Sequence, residues 1–202
     1  MAFRLVLITP PEAATPRELE LATSLFKRGL CTLHLRKPSC DREQVAQYLA
    51  ALPPDARRRT VLHQHHDLAK QSSIGGIHYR EAERPPGVIK APPGLSVSTS
   101  FHTLPDLGVC RGEVDYCFLS PIYASISKPG YGEAAFPDPG ELAGGLAGSR
   151  YPVLALGGVT RDKFGELAEL GFAGAALLGA VWAAEDPLAA WEAAVAEAAR
   201  LG

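Results

Sequence analysis

The residues with the most chemical capacity in this chain of 202 residues cluster where short apolar runs end. His34 and Arg36 lie in the second such run, with Lys37-Pro38 after them. His63-Gln64-His65-His66 closes the third run, His78 sits in the fourth, Ser98 and Ser100 belong to the fifth, and Ser120-Pro121 ends the sixth. Period-two alternation places His34 and Arg36 on one face of a strand. Guanidinium groups hold anions, imidazoles move protons or ligate metals, and hydroxyls donate hydrogen bonds. An apolar strand gains nothing by ending repeatedly in such groups, so they read jointly as one site.

Two glycine-bearing turns extend that pattern. Leu156-Gly157-Gly158-Val159 follows the seventh apolar run and Leu178-Gly179-Ala180-Val181 the eighth. Glycines there let backbone N–H groups approach a phosphate closely, and a helix start adds its positive end. The excursion from Ser120 to Gly132 carries Lys128 among hydroxyls ahead of a Pro-Gly turn. A loop of that length suits a lid or substrate-binding segment, with Lys128 as a mobile point charge for phosphate or pyrophosphate.

Such residues need a frame that brings strand ends together. Strands are expected at Arg4–Thr9, Cys31–Arg36, Thr60–Gln64, Gly76–Tyr79, Leu95–Thr99, Asp115–Ser120, Pro152–Leu156 and Ala173–Leu178. Helical stretches separate most of them. Thr15-Pro16-Arg17-Glu18 is a capped helix start, with a stripe of Leu19, Leu21, Ala22, Leu25 and Phe26 running to Gly29. Asp41 caps a second helix, and Arg161–Leu170 and Pro187–Leu201 supply the last two. Strand–helix alternation argues for parallel strands with right-handed crossovers. Eight units close a (β/α)8 TIM barrel, a single domain over residues 1–202 with its chemistry at the C-terminal strand ends. An open doubly wound sheet wants a glycine fingerprint after the first strand, where Pro10-Pro11-Glu12 stands instead.

Composition narrows the partners. Lys+Arg 20 against Asp+Glu 22 gives a net charge of −2, with no basic block longer than Arg57-Arg58-Arg59. That pattern argues against a nucleic-acid surface. No segment approaches the roughly 20 apolar residues of a membrane span. The four cysteines lack CxxC spacing. A reducing cytoplasm is expected, with Cys31 and Cys117 as small apolar strand residues, and a homo-oligomer is compatible with the sequence.

Taken in order, Leu33-His34-Leu35-Arg36-Lys37, Gly76-Ile77-His78, Ser98 to His102, Asp115 to Gly130 and Leu154-Ala155-Leu156-Gly157-Gly158 resemble the thiamine-phosphate synthase family, which includes a thiazole tautomerase branch. The resemblance spans nearly the whole chain. It implies a transferase that couples a hydroxymethylpyrimidine pyrophosphate to a thiazole phosphate, releasing pyrophosphate with Mg2+ present. Arg36 and Lys128 then hold departing negative charge, Ser100 donates to the pyrophosphate, and the Gly157 and Gly179 loops cradle the thiazole phosphate. His34, Lys37, Gln64, Ser120, Gly158 and Ala180 complete the expected binding set.

The sequence also departs from the family pattern. The Asn-Asp pair that binds pyrophosphate and Mg2+ falls at His63-Gln64, and a second metal-binding Asp falls near Glu83. The usual Arg-x-Lys reads Arg36-Lys37-Pro38, and the tautomerase His falls at Pro121. Three other readings stand beside the synthase. One is an isomerase acting on a thiazole phosphate with His63 or His78 as acid/base. Another is a non-catalytic barrel that binds phosphorylated ligands. The last places a transition metal among His34, His63, His65 and His78.

Overall fold

The computed structural model describes residues 2–124 and 138–202. Its strands are β1 (Arg4–Ile8), β2 (Leu33–Leu35), β3 (Thr60–Leu62), β4 (Gly76–Tyr79), β5 (Ser96–Phe101), β6 (Tyr116–Leu119), β7 (Val153–Ala155) and β8 (Gly174–Leu177). They form a closed parallel barrel in sequence order, with β1 pairing both β2 and β8. The longer helices outside it are α1 (Pro16–Lys27), α2 (Arg42–Ala51), α3 (Pro54–Arg57), α4 (Ala69–Ser72), α5 (Leu104–Val109), α6 (Pro139–Ala147), α7 (Phe164–Leu170), α8 (Gly179–Trp182) and α9 (Pro187–Arg200). The fold is a (β/α)8 barrel.

The expected local signals operate. Glu18 N donates to Thr15 Oγ1 at 3.2 Å at the start of α1, and the chain leaves that helix through Gly29 at φ +86°. Asp41 and Gln44 cap α2 reciprocally, at 2.8 and 2.9 Å. Several strands are shorter than the apolar pattern suggested. β2 begins at Leu33, so Cys31 precedes it and is exposed, which corrects its reading as a buried strand residue; Cys117 does lie buried within β6. No described helix is long and apolar enough to cross a membrane.

Alternation separates two environments. Leu33, Leu35, Leu62, Ile77 and Leu119 point outward into the layer beneath the helices and are buried there, each leucine contributing roughly 1.5–3 kcal/mol of transfer free energy. Inward, β1 and β6–β8 line their side of the lumen with Val6, Ile8, Tyr116, Phe118, Leu154 and Ala176. On the other side β2, β4 and β5 contribute His34, His78 and Ser98, all fully buried. Half of the lumen is therefore apolar and half is imidazole and hydroxyl.

Candidate functional site

Arg36 leaves the end of β2 at the C-terminal rim. Thr9 Oγ1 fixes its backbone, accepting from Arg36 N at 2.9 Å and donating to Arg36 O at 3.2 Å. The guanidinium is partly buried and makes no ion pair or hydrogen bond among the described residues. Burial chiefly, then the charge of Arg80, lowers its pKa, against a smaller opposing effect of Glu12. Arg80 stands two residues past His78, so alternation along β4 puts both on one face. Sequence reasoning missed Arg80, although that same alternation marks it. Arg80 is bound by Glu83: Nε donates to Oε2 at 2.8 Å and Nη2 donates to Oε1.

Deeper in the barrel lies a buried polar chain. Tyr116 Oη and His34 Nε2 are 2.6 Å apart, and His34 Nδ1 and His63 Nε2 are 2.9 Å apart. His78 shares hydrogen bonds with Ser98 Oγ and Ser100 Oγ, both at 2.8 Å. The His63 and His78 rings stack with centroids 4.1 Å apart. Burial is the first cause lowering the pKa of all three histidines, with neighbouring His and Arg charges adding to it; His78 falls to about 3. They are neutral at pH 7. Tyr116, which the sequence analysis did not single out, anchors this chain.

Two expected binding residues belong elsewhere. Lys37 lies one step past Arg36, on the opposite face, and its side chain is 1% exposed. Its Nζ donates to Glu18 Oε2 at 2.7 Å, Pro10 O at 2.8 Å and Glu12 O at 2.9 Å. An ammonium has three donors. None remains for a substrate. Gln64, one step past His63, likewise turns away: its Oε1 accepts from Lys37 N at 3.3 Å and its Nε2 donates to Lys37 O. Both residues brace the site from outside rather than line it.

The remaining expected residues distribute as follows. Ser100 sits on His78 at the rim side of β5. The Ser120 carbonyl accepts from His102 Nδ1 at 2.7 Å, just past β6. Lys128 lies outside the described residues. The amides of Gly157, Gly158, Gly179 and Ala180 donate to no protein acceptor among the described residues, which leaves four N–H groups for an anion. Gly157 and Gly158 also serve packing, since the 121–124 segment lies directly on them: Ile122 N donates to Leu156 O at 2.9 Å and Tyr123 N to Gly157 O at 3.1 Å. At Gly158, with φ +63°, an added Cβ would stand 2.3 Å from Ala124 O. Gly158→Ala is therefore expected to cost about 1–3 kcal/mol in urea unfolding; an unchanged urea midpoint would show that this turn does not require glycine.

These donors do not suit Mg2+, which the resemblance implies. Mg2+ wants oxygen, usually one or two carboxylates beside substrate phosphates. At the two positions of the family's metal-binding acids stand Gln64, whose amide is spent on Lys37, and Glu83, whose carboxylate is held by Arg80 and pushed below its usual pKa by it. Imidazoles converge here instead. His65 is not among them: at φ +54° it turns aside, with Nε2 3.3 Å from Cys40 O. Of the four histidines considered together from the sequence, the structure assembles three.

Comparison with known proteins bears on this geometry. The family model described as thiamine monophosphate synthase (TMP-TENI) matches residues 5–181, which is most of the barrel. The chain belongs to this family. Among its relatives, a thiamine-phosphate synthase of Chlorobium luteolum is 26% identical over 84% of this chain and 82% of its own length. A putative thiamine-phosphate synthase of Geobacter sulfurreducens is 28% identical over 92% of this chain and 89% of its own. A crystal structure of thiamine phosphate pyrophosphorylase from Bacteroides thetaiotaomicron superposes with a TM-score of 0.77 at 27% identity, covering 98% of both chains. A Pyrococcus furiosus protein of the same description, 18% identical with a TM-score of 0.76, shares the fold.

Proposed function

We propose that this member of the thiamine monophosphate synthase family is a transferase that joins hydroxymethylpyrimidine pyrophosphate to thiazole phosphate, forming thiamine phosphate and releasing pyrophosphate. The carrying observation is Arg36: a partly buried guanidinium at the barrel mouth, without a carboxylate partner among the described residues and beside a second guanidinium, Arg80. Arg80 is already paired with Glu83, so among the described residues the charge left unpaired at the mouth is that of Arg36, and it calls for an anion. A pyrophosphate leaving group is such an anion.

The chemistry follows from charge placement. The bond between the pyrimidine methylene carbon and the pyrophosphate oxygen breaks with its electron pair going to oxygen, and the thiazole nitrogen lone pair then forms the new C–N bond. The charge that develops on departing pyrophosphate is met by Arg36, with Ser100 Oγ as a neutral donor and Lys128 as the resemblance assigns it. The free amides of Gly157, Gly158, Gly179 and Ala180 hold the thiazole phosphate, leaving its ring to face the pyrimidine. Holding the two substrates side by side supplies much of the remaining rate. Mg2+ takes no part in this account, because the residues at its family positions are already committed.

The isomerase reading asks His63 or His78 to exchange protons near neutrality. Burial holds both neutral, His78 to about 3, far from the pH at which a general acid works best. The transferase reading asks nothing of their basicity. Arg36→Met is expected to lower kcat/KM about 100- to 1,000-fold with the fold intact, measured as thiamine phosphate formed from both substrates. Equal activity in the variant would remove Arg36 from the reaction. Tight binding of thiazole phosphate by the parent protein without product would favour a ligand-binding barrel instead.

A further inference from the structure

We infer that His34, His63 and His78 form a binding site for one divalent ion of the zinc class, held by one nitrogen from each ring. The three come from adjacent β2, the end of β3, and β4, and one ligand nitrogen of each lies within 4.8 Å of the others. Zinc–imidazole distances of about 2.0–2.1 Å in a tetrahedral site put ligand nitrogens about 3.4 Å apart. Closing on an ion therefore needs ring movements on the order of 1 Å. Two of the rings already have one nitrogen tied to an outer partner: His34 Nε2 to Tyr116 Oη at 2.6 Å, and His78 Nδ1 to Ser98 Oγ at 2.8 Å. A metal-bound imidazole is oriented through its other nitrogen in this way. The ligands are then His34 Nδ1 and His63 Nε2, which now hydrogen-bond each other at 2.9 Å, and His78 Nε2, which now meets Ser100 Oγ at 2.8 Å; these bonds are exchanged for the ion. The outer nitrogen of His63, Nδ1, is buried with no partner among the described residues, so His63 lacks the orienting contact that the other two rings have, and the site is weaker for it.

The donor chemistry selects the ion. Three neutral imidazoles suit zinc, cobalt, nickel or copper, and exclude Mg2+ as a good occupant. Arg4 faces Tyr116 with its guanidinium carbon 4.0 Å from the ring centroid, and Arg36 and Arg80 stand toward the rim. Their charges work against a dication, and among the described residues no carboxylate joins the three ligands. The site is accordingly weaker than a closed thiolate site, and its fourth position, on the Ser100 side of His78, favours water or an anion.

The test uses the untagged, chelator-treated full chain titrated with Co2+ alone and then with Zn2+. The expected result is saturable uptake of one equivalent of Co2+, with visible ligand-field bands of a low-coordinate nitrogen site that Zn2+ abolishes and Mg2+ at equal concentration does not. His63→Asn should lower Co2+ affinity roughly 100-fold or more and Tyr116→Phe about 10- to 100-fold, while His65→Asn leaves it unchanged. Circular dichroism establishes that each variant is folded; should His63→Asn not fold, Tyr116→Phe carries the comparison. Absence of stoichiometric uptake by the folded parent protein, or equal affinity in parent, His63→Asn and Tyr116→Phe, overturns the site. The readout is spectroscopic and independent of thiamine phosphate formation, so either proposal can fail alone.

Discussion

In chelator, the protein is expected to lose stability steeply as the pH falls below about 6.5, by up to roughly 4 kcal/mol per pH unit. The sign follows from the three lumen histidines. Each has a folded-state pKa depressed from 6.5, chiefly by burial. Above 6.5 both folded and unfolded chains hold them neutral, so they add no pH dependence. Below it the unfolded chain takes up protons that the folded chain refuses, and each such proton costs roughly 1.4 kcal/mol per pH unit until the folded pKa is reached. For His78 that window runs from 6.5 down to about 3. The neighbours reinforce the effect: Arg4, Arg36, Arg80 and His66 all add to the depression, and among the described residues no carboxylate counters it at the three rings. Glu18 works in the opposite sense, because burial raises its pKa and the folded state binds that proton first. One proton against three leaves the direction unchanged. A domain of ordinary stability, roughly 5–15 kcal/mol, then unfolds at mildly acid pH. Urea midpoints from pH 8 to 5 measure this, and NMR should show three of the six histidines not titrating in the folded protein. A flat stability profile between pH 7 and 5 would contradict the buried, neutral cluster.

The second large effect is expected at Lys37. Lys37→Met leaves the Glu18 carboxylate buried beside two carbonyls that have lost their donor, those of Pro10 and Glu12. Breaking a buried pair by removing one partner costs about 3–5 kcal/mol, which for a chain of this size lowers Tm by roughly 6–20 °C. Burial already raises the Glu18 pKa against the pull of Lys37. Without that pull the carboxyl protonates more readily, so the loss should shrink as the pH is lowered. Replacing both partners, Lys37→Met with Glu18→Leu, should recover at least half of the stability, since matched apolar groups substitute well for a buried ion pair. Thermal melts of the single and double variants settle the matter. A single variant as stable as the parent would return Lys37 to the candidate substrate contacts.

Lys37 also shows where the sequence reading reached and where it stopped. The barrel was legible because hydrophobic runs of strand length alternate with capped helices, and Thr15 and Asp41 cap their helices as their spacing implied. The mouth was legible for Arg36 because alternation from His34 is a local rule. Applied one residue further, that rule sends Lys37 to the outer face, and sends Gln64 outward after His63. Adjacency in the motif had outweighed alternation. The depth of the histidines was not legible. β2 spans only Leu33–Leu35, so His34 sits in the middle of a very short strand and points into the lumen rather than onto its rim. Which of four histidines converge depends on barrel curvature and on the left-handed turn at His65, neither of which period or composition encodes. Tyr116 was missed because an aromatic in an apolar strand reads as core until its hydroxyl finds a partner across the lumen.

Product analysis by 31P NMR tests the coupling of the two substrates most directly. Untagged protein, hydroxymethylpyrimidine pyrophosphate and thiazole phosphate are mixed, and each substrate is also incubated alone. Thiamine phosphate and pyrophosphate should appear together in equal amounts, and no pyrophosphate should appear without the thiazole. Folded protein that forms no thiamine phosphate, or that releases pyrophosphate equally well without the thiazole, would contradict it.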